Sequence, residues 1–537
     1  MKPHKFQRLF GAMLLSAAVA APAYAGKSVQ VAQGGHLVRM VGVSPSGVGV
    51  KVAIRTQVPG GDAALRAQKD LASRSGAEES NAPIQVPEKG ASNGPDVLYS
   101  ATQCDANIAT GFAPSDIHGA VGPSRFVVVT NVDIGVYNRA ACTIVSRVGL
   151  KTLFAAFTGI SVQTLFDPRV LYDRAVGRFF VTAESKEPGT DQYQYFAVST
   201  DSTASAWRVY RFVLSVGTSF FCKRAADSFW DYPQAGKSFN RWFLTANDFP
   251  VTGAVTGAIL AIDKAPTLTG AATTGRCDNN LAFNLAPPIV LDSSTQSVFL
   301  APRTTGSILR YDYTATGIIG SDSLVAGASY AIAAWSVPPD AVQPNGQRLD
   351  SLDGRFQNAS LQSRDRIWNI HSIASGIRPL IRWYRLQRSA STLLSTVTFQ
   401  SSATSHLFNP SIVTNSGVDG SPAFITASRT DPTCTSTFCF AAMLTFSGPN
   451  LNGSDWTQNT AATSTAQFAT DGSVACNSTS RGSCRWGDYS AITVDPLNGG
   501  RAWGFNQLIN GTNQFNWFTR AVEEIYNLQS APDTSAR

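Results

Sequence analysis

Short apolar runs rich in β-branched and aromatic residues recur along this chain, and no helical period connects them. From position 125 onward a run often opened by Arg and an aromatic residue returns seven times. The copies are Arg125-Phe126-Val127-Val128-Val129, Arg178-Phe179-Phe180-Val181-Thr182, Arg241-Trp242-Phe243-Leu244-Thr245 and Ser297-Val298-Phe299-Leu300. Arg366-Ile367-Trp368-Asn369-Ile370, Ala423-Phe424-Ile425-Thr426 and Arg501-Ala502-Trp503-Gly504-Phe505 complete the series. Starts at 125, 178, 241, 297, 366, 422 and 501 leave spacings of 53, 63, 56, 69, 56 and 79 residues. Runs this short and this continuously apolar predict strands covered on both faces.

A second element precedes each run and opens on a polar residue or proline. These elements are His118-Gly119-Ala120-Val121, Asp167-Pro168-Arg169-Val170, Asp231-Tyr232-Pro233 and Pro287-Pro288-Ile289-Val290. Arg355-Phe356-Gln357-Asn358, Asn409-Pro410-Ser411-Ile412 and Asp488-Tyr489-Ser490-Ala491 follow. Turn residues separate the two elements in most copies, which is a hairpin signature. A unit of about 60 residues with four strands fits a β-propeller blade. One sheet cannot bury both of its faces alone, so blades stack around an axis. The expectation is all-β: a propeller of seven four-stranded blades, with six or eight left open by the unequal spacing. Two β-sandwiches are the competing architecture, but they give no reason for the paired elements to recur in order.

The expected divisions are a signal peptide over 1–25, a leader and linker over 26–100, the propeller over 101–530 and a tail over 531–537. Lys2, Lys5 and Arg8 precede an apolar run from Leu9 to Ala21, and Ala23-Tyr24-Ala25 offers a small-residue cleavage site. Neither that run nor any later one is long enough to span a bilayer. The expected location is secreted or periplasmic in a bacterium. Losing Lys2, Lys5 and Arg8 lowers the formal charge from +7 to +4, too little to argue for nucleic acid. Eight cysteines in an exported chain read as disulfides. Sequence neighbours suggest Cys104–Cys142, Cys222–Cys277, Cys434–Cys439 and Cys476–Cys484, although spacing alone does not fix connectivity. The four histidines after the expected signal peptide (His36, His118, His371 and His406) are scattered and no Cys-x-x-Cys occurs, so no metal ligand set is assigned. Carboxylates and carbonyls would suit a structural Ca²⁺, but no EF-hand spacing is present. A monomer is expected.

The strings His118-Gly119-Ala120-Val121-Gly122-Pro123, Phe166-Asp167-Pro168-Arg169-Val170, Asp231-Tyr232-Pro233 and Arg485-Trp486-Gly487-Asp488-Tyr489-Ser490 resemble exported bacterial β-propeller proteins. That group is related in fold to sialidases and BNR (Asp-box) repeat proteins. The resemblance covers about Pro114 to Pro496 and implies a propeller and export rather than one activity. The nearest string to an Asp-box, Ser199 to Trp207, is one residue too long and lacks its glycine. No Phe/Tyr-Arg-Ile-Pro string opens the propeller, so a true sialidase is not expected.

Propeller ligands sit at the axis, where the openers of the first strands converge. Candidate catalytic residues are Asp231, Asp488, Tyr489, Asp167 and His118. Candidate ligand-binding residues are Arg355, Arg485, Tyr232, Trp230, Trp486 and Asn409. Glycoside hydrolysis needs two carboxylates across one bond, which Asp167, Asp231 and Asp488 could supply, with Glu184 able to join them. Eliminative cleavage of an acidic polysaccharide needs a base, here His118 or Tyr489, and a cation on the uronate, here Arg355 or Arg485. Trp230 and Trp486 are placed by sequence at the mouth of the funnel. The bland reading of each Asp is a turn cap. The expected partner is an extracellular glycan or polysaccharide, either bound only or bound and cleaved; the alternative is a non-catalytic cell-envelope or surface scaffold that meets a protein partner.

Overall fold

The computed structural model describes residues 27–41, 43–44, 67, 82–89, 102–108, 112–162, 164–186, 191–415, 420–449, 456–471, 474–477 and 482–526. The segments expected as signal peptide (1–25) and tail (531–537) lie outside the described residues. All seven apolar runs are strands, and each pairs antiparallel with a partner strand after a turn. The alternation explains the packing. In strand Arg125–Thr130, Val127 and Val129 pack with Val170, Phe179 and Val181 of the next sheet. Phe126 and Val128 face the other way and pack with Trp503 and Phe505 near the C-terminus. The same division recurs in strand Arg178–Lys186, where Phe179 faces back and Phe180 stacks on Trp242 at 4.7 Å. Every sheet is therefore covered on both faces by its neighbours, as a ring of blades requires.

The ring closes between first and last sheets. Strand Trp517–Ile525 pairs antiparallel with Gln103–Ile108, so a strand from the N-terminal side completes the last sheet. Phe126 stacks on Trp503 at 5.6 Å across the junction. The protein is thus an all-β propeller. The expectation of seven separate four-stranded blades is corrected: among the described residues five sheets have four or more strands. Two causes are visible. Strand Pro288–Val290 pairs parallel with both Phe229–Lys237 and Ser360–Ser363, which fuses two repeats into one eleven-stranded sheet. The fourth run belongs to a sheet of three strands, Gln296–Arg303, Ser307–Thr314 and Ser323–Ala331.

Five short strands from the leader sit on outer edges. Lys27–Val31 pairs with Thr274–Leu281, Gln33–Arg39 with Ala206–Val216, and Val43–Ser44 with Ile144–Gly149. Ile84–Gln85 and Glu88–Lys89 do the same for Thr392–Phe399 and Thr457–Thr463. Each covers backbone groups that an edge strand would otherwise leave unpaired. The four disulfides are Cys104–Cys142, Cys222–Cys277, Cys434–Cys439 and Cys476–Cys484. No helix among the described residues is long and apolar enough to cross a membrane. The departed Asp-box at 199–207 still makes a side-chain-braced turn: Thr203 N–H donates to Asp201 Oδ1 at 2.7 Å and the Trp207 indole donates to Ala204 O at 3.1 Å.

Candidate functional site

Three of the polar openers sit on bulges. Asp167, Tyr232 and Asn409 each precede a proline, and each has positive φ, +50°, +61° and +50°. Strand pairing slips at the same places, between Phe166 and Arg169, Asp231 and Gln234, and Phe408 and Ser411. Proline cannot donate to a ladder, and an extra residue at that point turns the side chains out of the pleat. The result is a ring of polar groups at the N-terminal ends of the inner strands.

These groups form one continuous network. Tyr489 donates to Asp167 Oδ2 at 2.5 Å, and Asp167 N–H donates to Asn131 Oδ1 at 2.8 Å. Asn131 Nδ2 donates to Asp116 Oδ2 at 2.6 Å, and Asp488 N–H donates to Asp116 Oδ1 at 2.8 Å. Arg485 Nη2 donates to both carboxylate oxygens of Asp488, at 3.1 and 3.2 Å. The Arg169 guanidinium lies 3.2 Å from the Tyr489 ring centroid, while Arg355 lies 4.2 Å from that of Tyr232. The two tyrosine rings meet edge to face at 5.2 Å. Asn409 Nδ2 donates to Gly487 O and Tyr489 O at 3.0 and 3.1 Å. Gly487 accommodates this closeness, since a Cβ there would collide with the Ser115 hydroxyl.

Beside this network lies a carboxylate trio. Asp167 and Glu184 come from paired strands of one sheet and Asp231 from the next; one oxygen of each lies within 4.8 Å of the others. All three are buried. Burial, the Asp231 charge and the Asp488 charge raise the Asp167 carboxyl to about 7, against the pull of the Tyr489 hydrogen bond and Arg169. Burial, Asp231 and Asp167 also push Glu184 well above the usual carboxylate range. Burial, then Asp488, raises Asp116 in the same direction.

The network is covered. The segment 352–358 packs on it: Leu352 clusters with Tyr232 and Tyr489, Gln357 Nε2 donates to Asp488 O at 3.4 Å, and Arg355 pairs with Asp353 at 2.7 Å. The open space is elsewhere on the axis. A cavity of about 560 Å³ is lined by residues of all seven inner strands, among them Val170, Ile289, Leu361, Ile412 and Ile492. Asn358 borders it and accepts from Arg169 Nη1 at 3.1 Å, which puts the Arg169–Tyr489 stack behind its wall. At the rim stand Tyr172, Arg174, Phe239 and Asn415, with Phe239 57% exposed, while Lys237 is buried in the wall and paired with Asp173 at 3.1 Å.

Of the residues singled out by sequence, His118 alone lines this cavity. Its Nδ1 accepts from Val170 N–H at 3.4 Å, and burial and Arg169 hold its pKa well below the usual value. Asp167, Asp231, Tyr232, Arg355, Asn409, Arg485, Asp488 and Tyr489 are brought together, but under the covering segment. Placement of Trp230 and Trp486 at a funnel mouth is corrected. Trp230 is in the core between sheets, its indole donating to Gln194 Oε1 at 3.0 Å. Trp486 packs edge to face on Phe408 and Phe468. Sequence reasoning missed Asp116, Asn131 and Arg169. The spacing of Arg169, two residues after Asp167 within an apolar strand, was the available signal.

No protein-family model matches this chain, and no curated protein sequence does. Solved structures do align with it. An endo-arabinase from Bacteroides thetaiotaomicron is 13% identical over 68% of this chain and 95% of its own, with a TM-score of 0.28. A GH93 alpha-L-arabinofuranosidase of Fusarium graminearum is 10% identical over 83% and 98%, with a TM-score of 0.35. A Hadza microbial sialidase is 11% identical over 58% and 62%, with a TM-score of 0.34.

Proposed function

We propose that this chain is an exported propeller that binds an extracellular carbohydrate in its axial cavity and does not cleave it. The observation that carries the reading is the rim: an exposed Phe239 ring with Tyr172, Arg174 and Asn415, at the opening of a cavity of about 560 Å³. A sugar has an apolar face and a polar edge. An aromatic ring takes the first by stacking, and amide, hydroxyl and cationic donors take the second. The volume falls in the range of small-ligand sites. Four disulfides support an oxidising location.

Binding is favoured over cleavage by access. Glycoside hydrolysis needs its two carboxylates at the scissile bond. Asp167, Glu184, Asp231 and Asp488 are buried and do not line the cavity, and the two carboxylates that do line it are engaged, Asp495 with Arg139 and Asp292 with the backbone N–H groups of Ser294 and Arg364. The test is a glycan and polysaccharide panel with the purified chain, scored for binding, reducing ends and unsaturated products. The reading expects binding without products, and a loss of about tenfold or more in Phe239→Ala, as removal of a buried stacking contact of about 1.5 kcal/mol would give. Products that vanish in Asp167→Asn would instead establish an enzyme. Absence of any glycan binding would leave the scaffold reading.

A further inference from the structure

We propose that Asp167, Glu184 and Asp231 hold a divalent cation of the calcium class, which ties two neighbouring sheets together beside the axis. This inference is independent of the carbohydrate reading. Two observations carry it. First, the three carboxylates each offer an oxygen, and these oxygens lie within 4.8 Å of one another. Second, Glu184 is 0% exposed and no N–H or hydroxyl group donates to either of its oxygens; the side chain it meets is the Asp231 carboxyl. A buried carboxylate needs a donor, a proton or a metal, since water is not there to solvate it. The nearest charged groups to Glu184 are the other two carboxylates, which make its isolation worse rather than better.

The donor set selects the ion. It is oxygen only, with no histidine or cysteine in the group, which favours a hard cation over zinc or copper. Calcium–oxygen distances of about 2.3–2.6 Å keep any two ligands of one ion within about 5.2 Å of each other, a condition that three oxygens within 4.8 Å meet. Calcium also accepts irregular geometry from a protein cage, whereas magnesium usually keeps several waters, which a buried trio leaves little room for. The Asp167 carboxylate is already held, by the Tyr489 hydroxyl and by a backbone fixed through Asn131. Such outer contacts orient metal ligands elsewhere. Glu184 lies on the strand paired with that of Asp167, opposite Phe166, and Asp231 stands on strand Phe229–Lys237 of the next sheet. An ion here would bridge those two sheets.

The test uses the full chain, purified without chelator. Elemental analysis should find about one equivalent of calcium per chain. Stripping with a chelator should lower the melting temperature by several degrees, and millimolar Ca²⁺ should restore it more fully than Mg²⁺, as binding to the folded state alone requires. Glu184→Gln should lose both the bound calcium and the Ca²⁺ response. Glu524→Gln, which alters a buried carboxyl in another sheet, should keep both. If Glu184→Gln fails to fold, the wild-type metal content decides alone. A folded chain with no bound metal and a melting temperature indifferent to Ca²⁺ would overturn the proposal and leave the trio held by protons.

Discussion

Tyr489 and Asp167 are 322 residues apart in sequence and 2.5 Å apart at the axis, the phenol donating to Oδ2. The bond joins the segment before strand Ala491–Asp495 to the bulge of strand Thr164–Asp173. It is also one of few donors available among three carboxylates. Tyr489→Phe keeps the ring over Arg169 and removes the hydroxyl alone. A buried acceptor that loses its donor costs about 1–3 kcal/mol. Denaturant unfolding should show a lowered midpoint of that order with an unchanged slope. An unaltered midpoint would mean that the hydroxyl contributes nothing to holding the ring together.

Closure of the ring gives a second comparison. Arg139 of the first sheet makes a two-point contact with Asp495 of the last, and its guanidinium lies 5.5 Å from the Trp503 ring centroid. The side chains are 14% and 2% exposed. Arg520 also pairs with an acid, Asp105, but that acid is 61% exposed. Breaking a buried pair from one side costs about 3–5 kcal/mol, whereas an exposed pair contributes about 0–1 kcal/mol. Arg139→Ala should therefore destabilise the chain several times more than Arg520→Ala in parallel urea titrations. Equal effects would show that the first and last sheets are not held by this pair.

The pattern of runs was legible because strand periodicity is written locally: residues such as Phe179 and Phe180 must each find a covering sheet. Sheet fusion was not legible, because Pro288–Val290 is a three-residue strand whose parallel neighbours are chosen by the ring and not by its own sequence. Convergence of Asp167, Asp231 and Asp488 followed from the order of the repeats. Their burial did not: Leu352 and Gln357, in the long connection between two repeats, reach Tyr232, Tyr489 and the Asp488 backbone, and nothing local to the three Asp residues announces it. Arg169 was hidden because a single charge in an apolar strand carries no period, and Asp116 because it stands in the irregular segment before strand His118–Val121. Trp230 and Trp486 misled for the opposite reason: adjacency to polar residues says nothing about which face of a strand a ring takes.

On the acid side, His371 is fully buried, with Nδ1 2.6 Å from Gly354 O and Nε2 2.9 Å from the Tyr384 hydroxyl. Burial drives its pKa down to about 3, and burial likewise brings His406 to about 4. Both folded values lie below the unfolded value of about 6.5. As pH falls through 6.5 toward 3, the unfolded chain gains protons that the folded chain refuses, so stability falls with it. Melting temperature should drop between about pH 6 and 4, and His371→Gln should make that drop shallower even if it lowers stability at neutral pH. A profile with the same slope in wild type and variant would remove His371 from the account.

On the neutral side, Glu524 acts with the reverse sign. Its carboxylate is buried and accepts from Thr445 at 2.6 Å, Ser447 at 3.0 Å and Asn459 at 2.9 Å. Burial outweighs these donors and raises its pKa to about 7. The folded value is above the unfolded one, so between about pH 4.5 and 7 the folded chain holds more protons than the unfolded chain. The stabilising contribution is complete below that window and is lost as pH rises through 7. Glu524→Gln keeps the shape and cannot ionise. Its melting temperature should match or exceed wild type above pH 7 and lose the advantage toward pH 5, so the two profiles converge or cross. Parallel profiles across that range would show that Glu524 stays ionised in the fold, and that its three donors outweigh its burial.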